Sequence, residues 1–191
     1  MTSSQALMAV VAIAALIVVL AVAMAVRKRR TRALTDRFGP EYDHALETAG
    51  KRTRAEAELE ARTKRVEKLD IRALTTAERD RYAGLWRSAQ ERFVDSPPMA
   101  VAEADHLVTE VMRVRGYPMT DFEQAAADVS VAHPHLVTNY RAAHAIAVSS
   151  AGQKTGTEDL RQAMVHYRAL FEELLQASVA EVQQVPEPVT H

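Results

Sequence analysis

Residues 6–26 run for 21 positions without a charged or strongly polar side chain, and the pattern then switches at once to Arg27-Lys28-Arg29-Arg30-Thr31-Arg32. At helical rise the apolar run measures roughly 31 Å, the thickness of a bilayer's hydrocarbon layer. It predicts a transmembrane helix over 6–26, a short extracytoplasmic tail at 1–5 and a basic juxtamembrane segment over 27–40. Phe38-Gly39-Pro40 breaks that segment, because proline suits the first turn of a following helix. From 41 to 69 the chain lacks proline and is rich in Ala, Glu, Lys and Arg. Tyr42, Ala45, Leu46 and Ala49 share one helical face; beyond them only Leu59, Val66 and Leu69 recur. The spacing predicts packing for 41–50 and a charged, solvated helix for 51–68, so that 41–69 reads as a helical arm or partner-binding face.

Four further stripes follow at helical spacing. They are Tyr82, Leu85, Trp86, Ala89, Phe93; then Val101, Ala104, Val108, Val111, Met112; then Val137, Tyr140, His144, Ala147, Val148. The fourth is the longest: Leu160, Ala163, Met164, Tyr167, Leu170, Phe171, Leu174, Leu175. Thr75–Glu78 and Thr120–Glu123 fit the S/T-x-x-E capping box. Ser96-Pro97 and His133-Pro134 put a cap before a first-turn proline. Glu158 and Asp159 place acids where a helix dipole favours them. Four amphipathic faces joined by short connections need one another for burial, so 70–180 is expected to be a compact helical bundle. The segment from Gly152 to Gly156 is expected as a loop, and 181–191, with Pro186 and Pro188, as a disordered tail. The fold class is all-α.

Charge decides how the apolar run is oriented. Residues 27–37 carry six basic groups against Asp36, whereas 38–191 carry a net charge of −6. A mildly acidic body argues against nucleic acid as a partner. A signal peptide wants a basic start, and Met1–Gln5 has no Lys or Arg. Small-x-small cleavage sites do occur, at Ala21-Val22-Ala23 and Ala23-Met24-Ala25. Cleavage there would leave Arg27, Lys28, Arg29, Arg30 and Arg32 at the front of an exported chain, where they resist translocation. The uncleaved span is the expectation, with the N-terminus outside and the body cytoplasmic; a secreted or extracytoplasmic protein is the alternative. The same cations offer contact with anionic lipid. Cysteine is absent, which removes disulfides, thiolate metal sites and thiol chemistry.

The sharpest candidate for chemistry is a pair of Glu-x-x-His sequences, Glu41–His44 and Glu103–His106, since two such motifs belong to di-iron bundles. Helical angles set His44, Glu103 and His106 on the far side from their apolar stripes, so both motifs are expected to face solvent without metal. His133-Pro134-His135 reads as a cap followed by an exposed residue. His144 lies on an apolar stripe with Tyr140, and together with His166 forms a weak candidate polar cluster. Ala151–Thr155 lacks the glycines of a phosphate loop, and Ser149 and Ser150 lack a nucleophile-elbow context. No catalytic set and no cofactor is implied.

The stretches Arg37-Phe38-Gly39-Pro40-Glu41-Tyr42, Asp121-Phe122-Glu123-Gln124 and Asp159–Arg168 resemble a family of uncharacterised bacterial proteins with one apolar N-terminal segment and a helical body. The resemblance covers most of residues 6–176. It implies a membrane or secreted helical protein and carries no activity. The functional expectation is therefore a non-enzymatic, membrane-anchored module, inserted in the bilayer through 6–26. Its partner would be an unidentified protein or a second copy of itself. The alternatives are an envelope-facing helical protein or a small-ligand or pH sensor built around His144.

Overall fold

The computed structural model describes residues 3–152 and 155–177; the expectations for the extreme N-terminus, for part of the 152–156 loop and for 181–191 lie outside them. The described residues form eight helices and no strand. In chain order they are α1 (Ser3–Phe38), α2 (Pro40–Ala49), α3 (Arg52–Val66), α4 (Thr76–Arg92), α5 (Pro97–Arg115), α6 (Phe122–Val129), α7 (Pro134–Gly152) and α8 (Thr157–Gln176). The all-helical expectation, a long apolar N-terminal helix followed by a bundle, holds.

The apolar run and the basic segment are one uninterrupted helix. From Val11 to Val26 its side chains are exposed, with Leu16 58% and Val26 60% accessible. Past the cations, Leu34 and Phe38 are buried in the body's core. The helix stops at Gly39, whose φ of 49° is a conformation that β-carbons disfavour, and Pro40 opens α2. Among the described residues one helix, α1, is long and apolar enough to cross a membrane; a signal sequence passes the same test.

The bundle is centred on α5, α7 and α8, with α4 laid against α5. The predicted stripes supply the core: Val101, Ala104, Val108, Val111 and Met112 face Leu160, Ala163, Tyr167, Leu170 and Phe171, all nearly inaccessible. Trp86 from α4 stacks on Phe171 at 4.6 Å. Val148, by contrast, is 61% exposed, because the α7 stripe leaves the core near its end. Thr75 and Glu78 form the expected reciprocal capping box. The second box is displaced by one residue: Asp121, not Thr120, accepts from the Gln124 amide at 2.8 Å and starts α6. Fully buried Arg115 donates to the Leu174 carbonyl at 2.8 Å, where the last turn of α8 leaves carbonyls open.

Residues 41–50 pack as expected, but 51–68 is not a solvated helix. The chain turns at Gly50 and Lys51, and α2 and α3 pack as a helical hairpin. Ala55, Glu56, Leu59, Arg62 and Val66 are buried on the inner face of α3. The hairpin docks α2 on α7 and α3 on α6, and one hydrophobic cluster runs from Leu34 through Tyr42 and Leu59 to Leu174. The boundary expected near residue 70 is therefore not a boundary of the core.

Candidate functional site

Two polar networks are built into this framework. The first centres on Glu41, whose carboxylate is 1% exposed at the start of α2. Arg62 of α3 donates from Nη1 to Oε1 at 2.6 Å, and Arg141 of α7 donates from Nη1 to Oε2 at 2.6 Å. The expectation that Glu41–His44 faces solvent fails for Glu41, because α3 and α7 close over both flanks of α2. His44 is half-buried and lines a 480 Å³ groove with Glu58, Asp121 and Glu123. Adjoining grooves of 460 and 390 Å³ lie along the α2–α3 hairpin and between α2 and α7. A second tie joins hairpin to bundle: Arg65 Nε donates to the fully buried Asp128 at 2.8 Å, and Gln124 donates to the same oxygen at 3.0 Å. Charged contacts therefore supplement an apolar seam between α2–α3 and the rest.

The second network replaces the expected cluster of Tyr140, His144 and His166. Asp105 of α5 is its hub. Its Oδ1 accepts from the Tyr167 hydroxyl at 2.6 Å and lies 3.1 Å from His144 Nδ1. Phe122 lies flat on the His144 ring, 3.7 Å between centroids and 8° from parallel, and also leans on Tyr140 at 4.9 Å. Tyr140 and Tyr167 meet edge to face at 6.3 Å. Burial raises the pKa of both phenols, and for Tyr167 the Asp105 bond adds to the effect. Both therefore remain protonated donors. His166 takes no part in these bonds. Asp105 and Tyr167 were not candidates from sequence, although Asp105 lies inside Glu103–His106 and Tyr167 in the fourth stripe. Glu103 itself pairs with Arg92 at 2.7 Å, and His106 is exposed.

His133 stands immediately before α7, with its carbonyl accepting from the Leu136 amide at 3.1 Å, and His135 follows inside the helix. His135 is exposed, but His133 is 6% exposed, with Nδ1 3.4 Å from Glu173 of α8. The difference from a solvent-exposed cap is that the His133 ring is enclosed beside α8. Among the described residues no group of three or more His, Asp or Glu is placed to hold a metal ion.

The cations that follow the apolar run sit on α1 itself. Arg27, Lys28, Arg29, Arg30 and Arg32 are all exposed. Arg30 forms a two-pronged pair with Glu60 of α3, next to a bond from Thr31 to Glu56 at 2.6 Å. A small cleft of 170 Å³ lies between α4 and α8, where Phe93, Met164 and Val165 are flanked by Arg161 and Arg168. Near it along the chain Val94 is 83% exposed, and Val165 is 49% exposed.

No family model matches the chain, and neither a curated protein nor a solved structure does. The functional reading therefore rests on the geometry.

Proposed function

We propose that the chain is a single-pass membrane protein whose helical body stands on the cytoplasmic face and works by binding protein, either another chain or a second copy, rather than by catalysis. One observation carries this reading. The apolar half of α1 has no cover from the body, while its other end is fixed into the core by Leu34, Phe38 and the Arg30–Glu60 pair. An exposed apolar helix of this length needs lipid around it, and one joined rigidly to a folded body holds that body at the surface. Six basic groups after the apolar run and none before it favour the body inside. The exposed Val94, Met99 and Val165 are apolar surface available to a partner.

Absence of cysteine makes a direct test simple. Single cysteines placed at Val94 and Val165 in membrane-embedded full-length protein should give a defined cross-linked adduct under a bifunctional thiol reagent. A cytoplasm-only reporter fused after His191 should be active. An inactive reporter together with a mature chain beginning at Met24 or Val26 would establish export instead.

The Asp105 hub favours a second reading, a small-ligand or proton sensor. His144 is held against Phe122 and bonded to an acid that also accepts a hydrogen bond from the Tyr167 hydroxyl, which ties α5, α6, α7 and α8 to one side chain. Ligand-induced or acid-induced change in the Phe122–His144 stack, followed by ring NMR shifts and lost in His144→Gln, is its test.

A further inference from the structure

The structure divides the cations of α1 by the direction they face. At about 100° per residue from Arg27, the body-facing side chains Arg30, Thr31, Leu34 and Phe38 fall within an arc of roughly 100° centred near Arg27's own direction. Lys28, Arg32 and Arg29 fall at about 100°, 140° and 200°, on the side turned away from α3. Arg30, under the body, has its acid in Glu60. Arg27, Lys28, Arg29 and Arg32 are exposed and make no ion pair among the described residues. Along the axis they lie about 1.5–9 Å beyond Val26, the last apolar residue, which is the depth of the headgroup layer.

We infer that Lys28, Arg29 and Arg32 form a binding site for anionic phospholipid headgroups on the side of α1 opposite the hairpin. This rests on α1 crossing the bilayer. Guanidinium groups bond phosphate oxygens in pairs, and Lys28 adds a compact charge. Each cation near the surface contributes about 1 kcal/mol of attraction, close to fivefold in occupancy. Glu60 takes up Arg30, which leaves Arg27 as the single unpaired cation on the hairpin's side against three on the other, so the bound headgroups favour the side turned away. Because the same helix is fixed to the core through Leu34 and Phe38, lipid held there sets the azimuth at which the body meets the membrane.

The test uses the full chain in nanodiscs of phosphatidylcholine doped with phosphatidylglycerol, with retained lipids counted by native mass spectrometry. Phosphatidylglycerol should be enriched at least severalfold over its bulk share. The enrichment should weaken with added salt. It should persist in free inorganic phosphate, which separates a bilayer headgroup from a simple anion site. Lys28→Gln/Arg29→Gln/Arg32→Gln should abolish it, while Arg87→Gln/Arg113→Gln, which removes exposed cations from the body, should not. Retention of both lipids in bulk proportion, or equal loss in the two variants, would overturn the site while leaving the anchor intact. Failure of the chain to enter the bilayer at all would overturn both.

Discussion

Glu41 offers the most demanding check on how the hairpin is held. Each of its carboxylate oxygens accepts one guanidinium N–H, N···O 2.6 Å, and its side chain is 1% exposed against 10% for Arg62 and 16% for Arg141. A hydrogen bond to a charged group contributes about 1.5–3 kcal/mol, so two such bonds bound the effect near 6. The arginines keep weaker partners, Glu58 at 3.3 Å and Glu123 at 3.4 Å, which softens the loss. Glu41→Leu should therefore cost about 3–5 kcal/mol, the usual penalty for leaving buried charge uncompensated. The triple variant Glu41→Leu/Arg62→Met/Arg141→Met should cost less than the single one, because no orphaned charge remains. Urea unfolding of the full chain in mild detergent measures both. The only tryptophan, Trp86, is buried against Phe171 and reports the bundle by fluorescence. Far-UV circular dichroism reports all helices, the hairpin included. With a continuous core the two probes should move together. A cost below about 1 kcal/mol for Glu41→Leu, or a triple variant worse than the single, would show that the ion pairs are not what holds α2 to α3 and α7.

Three further outcomes are expected. Gly116→Ala should destabilise by about 1–3 kcal/mol, since φ is 102° and a β-carbon would stand 2.3 Å from the Asp70 carbonyl oxygen, whereas Gly84→Ala, with open space in mid-helix α4, should stabilise by about 0.5–1 kcal/mol; urea midpoints give both signs. Leu170→Ala and Phe171→Ala, at 0% and 1% exposure, should each cost about 2–5 kcal/mol, and Val165→Ala, at 49%, well under 1; a near-zero change at both core positions would contradict the packing. The Glu78 carboxyl, bonded first to Arg72 and then to the Thr75 amide, is held down at about 2 from an ordinary 4.5. A depressed folded-state pKa means stability present above about pH 4.5 and lost as pH falls toward 2, so urea midpoints should fall less across that range in Glu78→Gln, while the Glu78 carboxyl NMR shift of the unsubstituted protein titrates near 2.

What the sequence shows and hides follows from how far apart the interacting residues lie. Periodicity is local, and it located the stripes of α4, α5 and α8 because each apolar face repeats within its own helix. It placed the Thr75–Glu78 box for the same reason, since cap and partner are three residues apart. The α3 face was misread because it is buried through charge: Arg62 finds Glu41 21 positions away, and Glu56 finds Thr31 at 25. Arg65 meets Asp128 across 63 positions, and Arg141 meets Glu41 across 100. No repeat within a helix announces such a partner. The angular treatment of Glu41–His44 took one flank of α2 as the buried face, whereas the fold covers both. The polar cluster shows the same division. His144 was visible because it breaks an apolar stripe, but its partner Asp105 sits on another helix, and Tyr167 looks like ordinary core. His166, one residue before Tyr167, faces about 100° away from it and misses the hub. Helix α6 carries only a short stripe, Phe122, Ala125, Ala126 and Val129, and Ala127 and Asp128 are buried beside it. Two turns are too short a repeat to stand out, and the helix's role as the floor for Arg65 and the lid over His144 exists only in the assembled fold.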